Sequence, residues 1–326
     1  MAEPVIFRHV ALIGLGLIGS SIAHAAMRAG AAGRITGYAR SPETRATAAK
    51  LGFCEVLETA AEAVEGADCV ILCVPVGACG PVTAEIAQHL APGAVLSDVG
   101  SVKQDLIAAV SPQVPEGVHF VPAHPMAGTE HSGPESGFAT LFDNRWCILT
   151  PLRIEDADAA ERLERFWQAL GARTTRMAPD HHDLVCAVTS HVPHAIAYTM
   201  VGVADDMRRV TDREVVEFSA AGFRDFTRIA ASDPTMWRDV FLNNREAVLD
   251  VLGRFTEELM QVQSAIRGGD GDFLFDYFTR TREIRRGIID AGQDTGAPDF
   301  GRIGTTATSE DAHDDHVEEL MRPLRR

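Results

Sequence analysis

Short apolar runs alternate with helical stretches through the first half of the chain. The predicted strands cover residues 9–13, 34–39, 69–75, 95–99, 119–122 and 146–150. The run at 69–75, CVILCVP, is unbroken, which is typical of a buried parallel strand because both of its faces are covered. Strands that alternate with helices in this way predict an α/β fold with a doubly wound parallel sheet.

The pattern changes after about residue 178, where apolar residues such as Leu249, Leu252 and Leu259 recur at helical spacing. We therefore predict a first domain over residues 1–178 and an all-helical domain over 179–290. Long apolar helical domains often form dimer interfaces, so a homodimer through this domain is expected. Residues 291–326 are rich in Gly, Thr and Asp, which predicts a polar, flexible tail.

Charge and composition narrow the possible partners of the chain. With 326 residues, 46% hydrophobic and 23% charged, it has the profile of a globular protein, and its formal net charge is −16. Such a charge opposes binding to nucleic acid or anionic membranes and favours a small-molecule ligand. Neither a signal peptide nor a membrane-spanning stretch is predicted. The six cysteines show no CxxC or zinc-finger spacing, which indicates reduced core residues and a cytoplasmic protein.

A glycine-rich motif follows the first predicted strand and precedes a predicted helix. It reads Gly14-Leu15-Gly16-Leu17-Ile18-Gly19, a GxGxxG fingerprint. The first glycine permits a tight turn, the second lets the backbone approach a pyrophosphate, and the third allows close packing of helix on strand. Together with the repeated strand–helix alternation, the motif predicts a Rossmann-type dinucleotide-binding domain. Val74 and Pro75, at the end of the third predicted strand, are further candidate cofactor contacts.

The end of the second predicted strand bears on the choice between NAD and NADP. An NAD-binding domain usually has an acidic residue there to bind the ribose hydroxyls, and this chain has Ala39 instead. Arg40 and Ser41 follow and could bind a 2′-phosphate. We therefore expect NAD or NADP as the cofactor, with a slight preference for NADP. The alternative is that Arg40 is only a solvent-facing charge.

Three further groups of polar residues follow strands or lie in the helical half. They are the segment Asp98–Lys103 (DVGSVK), the segment 124–133 (HPMAGTEHSG), and a helical-domain set formed by SHVPH at 190–194, GFRDFTR at 222–228 and Trp237. In this order the motifs resemble those of the prephenate/arogenate (cyclohexadienyl) dehydrogenase family. The resemblance extends from the glycine loop to about residue 290.

This resemblance implies a role for each matching residue. His124 matches a histidine that helps remove the proton of the ring hydroxyl, and Ser101 matches a serine that orients it. Arg228 matches an arginine that binds a substrate carboxylate. The other matching positions are substrate contacts at Ser190, His194, Glu130, Trp237 and Arg224, the last of which is lysine in some family members. The implied reaction is oxidative decarboxylation of prephenate to 4-hydroxyphenylpyruvate on the route to tyrosine, with arogenate or dual specificity as the alternative.

The chemistry of such a reaction agrees with these residue types. Oxidation at a hydroxyl-bearing carbon needs a base that is neutral near pH 7, for which histidine is suited. A dianionic substrate needs cationic side chains, and arginine binds carboxylates with two parallel hydrogen bonds.

Other functions remain as remote alternatives. A β-hydroxyacid dehydrogenase would be expected to have a lysine in its helical domain, and the lysines here are Lys50 and Lys103. A non-catalytic dinucleotide-binding sensor is disfavoured by the intact His124, Ser101 and Arg228. No metal is expected, although two histidine groups, His191 with His194 and His313 with His316, could be considered as ligands.

Overall fold

The computed structural model describes residues 5–129, 131–208 and 220–289. The candidate substrate contact Glu130 and the predicted tail at 291–326 lie outside the described residues. The strands are β1 Phe7–Ile13, β2 Ala32–Tyr38, β3 Glu55–Val56, β4 Cys69–Leu72, β5 Val95–Asp98, β6 His119–Phe120, β7 Ala123–Pro125, β8 Trp146–Leu149 and β9 Arg173–Arg176. The helices are α1 Leu17–Ala29, α2 Pro42–Leu51, α3 Ala60–Val64, α4 Val76–Ile86, α5 Gln104–Val110, α6 Ala157–Ala169, α7 Pro179–Cys186, α8 Val192–Arg208, α9 Ala221–Thr227, α10 Pro234–Asn243, α11 Arg245–Gly268 and α12 Gly271–Ile288.

Six strands form the parallel sheet that the alternating pattern predicts, in the order β3-β2-β1-β4-β5-β6. Strand β4 is buried at all four positions, as expected for a central parallel strand with both faces covered. It ends at Leu72 rather than at residue 75, because Pro75 is the N-cap residue of α4. The doubly wound α/β fold class is confirmed.

The strand predicted at residues 146–150 belongs to a second sheet, which the hydrophobic pattern does not predict. In this sheet β7 pairs with β8 in antiparallel orientation and β9 pairs with β8 in parallel orientation. The apolar composition of β8 indicates a buried strand but contains no information about which sheet it joins. Strand β7 is only three residues long, and β9 is the polar sequence RTTR, so neither gives a periodic hydrophobic signal.

The hydrophobic core lies on both faces of the parallel sheet. Along β1, Val10 and Leu12 belong to one buried cluster, which also contains Trp167, while Ala11 and Ile13 belong to the other, which also contains Trp237. This division follows from the strand period of two, which points alternate side chains to opposite faces. The second cluster packs residues of the sheet domain together with Trp237 and Val240 of α10.

Beyond β9, every regular element in the described part of the chain is helical, as predicted. The chain divides into two compact units, Met1–Gln263 and Ser264–Arg326. The domain boundaries that the sequence pattern predicts near residues 178 and 290 stay predictions.

The helical run Pro179–Met207 corrects one expectation. It is 29 residues long and apolar enough to cross a membrane by length and composition alone, although no such stretch was expected. The apolar pattern is spread over α7, a π-helical turn at Ala187–His191 and α8, so no single unbroken apolar segment marks it in the sequence. One such helix is weak evidence for a membrane, because core helices of soluble proteins have the same composition.

Candidate active site

The glycine loop between β1 and α1 has the geometry of a phosphate-binding turn. Gly14 has φ +113°, and a side chain there would collide with the carbonyl oxygen of Cys73. A side chain at Gly19 would collide with the carbonyl oxygen of Gly14, so only glycine allows α1 to pack this closely. Gly16, by contrast, faces open space and is the N-cap of α1 without a side-chain cap. The first-turn N–H groups of α1 therefore fit a pyrophosphate.

The remaining candidate cofactor residues lie near this loop at the carboxyl ends of neighbouring strands. Ala39 is buried just after β2, and Arg40 is exposed beside it. Ser41 is the N-cap of α2, where its hydroxyl accepts from Thr44 N and donates to Glu43 Oε2 at 2.6 Å. The Ser41 hydroxyl is thus already hydrogen-bonded. After β4, Val74 is half-buried and Pro75 is exposed.

A fully buried ion pair links the carboxyl end of β5 to the start of β7. Lys103 Nζ pairs with Asp98 Oδ2 and also donates to the carbonyl oxygen of Ala123 at 2.9 Å. Asp98 accepts the backbone N–H groups of Gly100 at 2.7 Å and Ala123 at 3.3 Å. Burial raises the pKa of Asp98, and the Lys103 charge opposes that rise. This pair fixes the backbone immediately before His124.

His124 lies in β7 and is 8% exposed. Its Nδ1 is 2.9 Å from Nε2 of His182, and His182 Nδ1 is 2.9 Å from Oδ1 of Asp183. Burial, together with the neighbouring His182, Lys103 and His191, holds the pKa of His124 well below its usual value. The imidazole of His124 is therefore neutral at pH 7, which is the form that can accept a proton.

Cys186 lies beside the two histidines, with Sγ 3.6 Å from His124 Nδ1 and 3.5 Å from His182 Nε2. Burial, followed by the charge of Asp183, raises the pKa of this thiol to about 12, so it stays protonated. The three side chains offer potential metal ligands within 4.8 Å of one another. However, two imidazole nitrogens bound to one tetrahedral zinc would lie roughly 3.3 Å apart. The observed 2.9 Å is the separation of a hydrogen bond.

In the helical half, two aromatic rings among the predicted substrate contacts are stacked on each other. His194 stacks on Trp237 with ring centroids 3.6 Å apart, and its Nδ1 donates to the carbonyl oxygen of Ser190 at 2.8 Å. Trp237 is 7% exposed, and its buried indole N–H has no partner among the described residues. Ser190 lies in the π-helical turn between α7 and α8, a type of irregularity that often occurs at functional sites.

The structure brings some of the predicted residues together and leaves others apart. Arg228, at the start of a 3₁₀ turn after α9, is close enough to His194 to contribute to lowering its pKa, after the larger effect of burial. Arg224 is exposed on α9. Ser101 is half-buried after β5, and no hydrogen bond joins it to His124 in the part of the chain that is described. The nearest polar partner of His124 is instead His182.

His182, Asp183 and Cys186 were not among the residues predicted from sequence. His124 and His182 are 58 positions apart, so no local pattern could show their contact. The segment 179–186, PDHHDLVC, reads as the polar start of a helix. The one signal in the sequence was that His182 and Asp183 lie within one helical turn of Cys186, a residue type that is usually buried, although this does not reveal their contact with His124.

Two family models match almost the whole described chain. The model described as prephenate dehydrogenase, nucleotide-binding domain, matches residues 22–176, and the one described as prephenate dehydrogenase, dimerization domain, matches residues 178–280.

Individual proteins similar to this chain have names that belong to the same family. Cyclohexadienyl dehydrogenase of Zymomonas mobilis is 40% identical over 282 residues, which cover 86% of this chain and 96% of that protein. Prephenate dehydrogenase of Bacillus subtilis is 35% identical over 284 residues, covering 86% and 76%. The crystal structure of A. aeolicus prephenate dehydrogenase with hydroxyphenyl propionate and NAD+ superposes with a TM-score of 0.80 at 32% identity, covering 86% of this chain and 98% of that one.

Proposed function

Because the chain belongs to the prephenate dehydrogenase family, we propose that it oxidises and decarboxylates prephenate to 4-hydroxyphenylpyruvate, a step towards tyrosine. The observation that carries the proposal is the buried, neutral imidazole of His124. It directly follows Ala123, which is hydrogen-bonded to Asp98 and Lys103 at the carboxyl end of β5, the edge of the parallel sheet that also bears the glycine loop. Ligands of open α/β sheets bind at this edge. Arogenate, or both substrates, is the alternative, since the two differ only in a keto or amino side chain.

In this reaction His124 acts as the base. It removes the proton of the ring hydroxyl while hydride leaves the carbon that bears this hydroxyl. Loss of the ring carboxylate as CO2 then makes the ring aromatic. NAD or NADP, when bound, accepts the hydride. Ser101 is proposed to help orient His124 when the cofactor is bound.

The helical half supplies the contacts to the two carboxylates of the substrate. Arg228 is proposed to bind one of them with two parallel hydrogen bonds, and Arg224 adds positive charge in an otherwise acidic protein. Ser190, His194 and Trp237 form the pocket wall, where the stacked His194 and Trp237 rings offer an apolar surface to the substrate ring. Glu130 is assigned to the pocket mouth from the family resemblance alone.

The cofactor is NAD or NADP, and the finer choice is part of the proposal. Backbone N–H groups of residues 14–19 would hold the pyrophosphate, and Val74 and Pro75 are proposed as further cofactor contacts. Because residue 39 is alanine, no carboxylate at this position repels a 2′-phosphate. The exposed Arg40 can bind such a phosphate. Ser41 can contribute only by giving up its bond to Glu43. We therefore keep a slight preference for NADP.

The protein is proposed to be a homodimer in the cytoplasm. A homodimer through the helical domain is supported by the match to a dimerization-domain family and by the exposed apolar side chains of α8, such as Met200, Val203 and Met207. The cytoplasm is its proposed location, which the six free cysteines favour.

The test is turnover of prephenate and of arogenate with NAD and with NADP, followed by the His124→Asn variant. Asparagine keeps a hydrogen-bonding group but cannot take the proton, so kcat should fall by about 10²–10⁴-fold. His131→Asn, in the same motif but exposed, is the matched control. Turnover of neither substrate, or an unchanged kcat in His124→Asn, would exclude this function.

The pH profile provides a second measurement. His124 is faced by His182, Lys103, His191 and Cys186, and its lowered pKa keeps it neutral in mildly acidic solution. Activity should therefore stay level as the pH falls through 6.5 and decline only in more acidic solution.

A further inference from the structure

A chain of hydrogen bonds runs from the N-terminal end of α5 to the candidate base. Asp183 Oδ1 accepts the backbone N–H of Lys103 at 2.7 Å, and Oδ2 accepts that of Gln104 at 2.8 Å. Backbone N–H groups can only donate, so the Asp183 carboxyl is an anchored acceptor. His182 Nδ1, 2.9 Å from Oδ1, therefore carries a proton and donates it to Asp183.

The proton on His182 Nδ1 determines which ring nitrogens carry a proton in both histidines. Burial lowers the pKa of His182 even though Asp183 opposes the shift, so the ring is neutral and its Nε2 has no proton. The bond between His182 Nε2 and His124 Nδ1 then requires His124 to donate from Nδ1. A neutral His124 with its proton on Nδ1 has a free lone pair on Nε2.

From this geometry we infer that His182 and Asp183 are positioning residues for the proposed dehydrogenase reaction, which hold His124 in the one tautomer able to accept the substrate proton at Nε2. The inference rests on the proposed function. When the substrate proton binds Nε2, the N–H bond at Nδ1 stays intact and donates to His182. The new positive charge on His124 then faces a neutral acceptor whose other nitrogen is bound to the Asp183 carboxylate.

Among the described residues, no other neighbour of His124 can replace His182 as the acceptor. Cys186 is the other polar group close to Nδ1, and its protonated thiol is a weak acceptor at 3.6 Å. Lys103 is a cation that can only donate, and it is paired with Asp98. His191 also lies near His124 but is not hydrogen-bonded to it among the described residues. Without His182, both neutral tautomers of His124 become populated, and the one with its proton on Nε2 cannot act as a base.

The experiment compares three variants of the full-length enzyme. His182→Leu removes the acceptor, His182→Gln can present an amide oxygen in its place, and His181→Leu changes the adjacent, exposed histidine of the same helix. We expect kcat to fall about 10- to 100-fold in His182→Leu, with KM nearly unchanged, because side chains that orient a functional histidine through its other ring nitrogen contribute effects of that size. His182→Gln should recover most of kcat, and His181→Leu should match the wild type.

A spectroscopic measurement separates positioning from general stability. In wild-type enzyme labelled with ¹⁵N-histidine, the His124 signals should show protonated Nδ1 and unprotonated Nε2, and in His182→Leu a mixture of tautomers. This readout needs no substrate, so it tests the inference even if the chain acts on neither prephenate nor arogenate. A wild-type His124 with its proton on Nε2 overturns the inference, whether or not His182→Leu folds. So does full kcat in a folded His182→Leu variant of an active enzyme.

Discussion

His191 shows how a single buried side chain links the stability of this protein to pH. Its Nδ1 is 3.0 Å from the amide nitrogen of Asn244, which donates to it, and its Nε2 is buried without a partner among the described residues. Burial lowers the pKa of His191 to about 4. The folded state therefore binds a proton at His191 less readily than the unfolded state does.

The expected consequence is a loss of stability in acid. The contribution of His191 to the free energy of unfolding is fully present above the unfolded pKa of 6.5 and is lost as the pH falls towards 4, by roughly 3 kcal/mol in total. Urea unfolding at pH 7 and near pH 4.5 should show a smaller decline in His191→Leu than in the wild type. His181→Leu serves as the exposed control. Equal declines in wild type and His191→Leu would assign the acid sensitivity to other groups.

At the residue scale, the sequence predicted the candidate base but not its partners. His124 was identified because it begins a motif of ten residues that resembles a known family. His182 and Asp183 come from a helix 58 and 59 positions further along the chain, and only the folded arrangement of β7 against α7 brings them to His124. Long-range contacts between polar residues have no periodic signature, so a single sequence does not reveal them.

At the element scale, the buried Lys103–Asp98 pair connects β5, the start of α5 and β7. Replacing one member leaves the other as an unpaired buried charge, which typically costs about 3–5 kcal/mol. Lys103→Met should therefore lower the free energy of unfolding by this amount, measured by urea denaturation. The double variant Lys103→Met, Asp98→Asn removes both charges and should recover part of the loss. Arg34→Met, which breaks an exposed pair with Glu55, should change stability by less than about 1 kcal/mol.

The strands illustrate what periodicity can and cannot predict. All six predicted apolar runs contain a strand. The signal is strongest in β1, β4 and β5, because these strands are buried on both faces. The pairing of β8 with β7 and β9 had no such signal, since β9 is polar and only partly covered. Hydrophobic pattern therefore indicates that a strand exists, whereas its sheet is decided by contacts across the chain.

At the scale of the whole molecule, the exposed apolar side chains of α8 predict how the chain assembles. Val203 is 50% exposed on this helix. A charged side chain in its place would weaken an apolar interface, because the centres of such interfaces are depleted of charged residues. The wild type should have the mass of two chains by light scattering after size exclusion, and Val203→Glu should shift it towards one. Ile154→Glu, 93% exposed in the first half of the chain, is the control. A monomeric wild type, or an unaffected Val203→Glu dimer, would move the interface elsewhere.

The central place of β1 in the sheet has a consequence for synthesis on the ribosome. β1 is bonded on one side to β2 and on the other to β4, which ends at Leu72, and Phe7 is covered by Phe166 at a centroid distance of 5.4 Å. A strand made early thus waits for partners that emerge some 65 and then 160 residues later. Until then its apolar edge is open to other chains. Nascent chains stalled before Leu72 should accordingly be the ones that most need a chaperone.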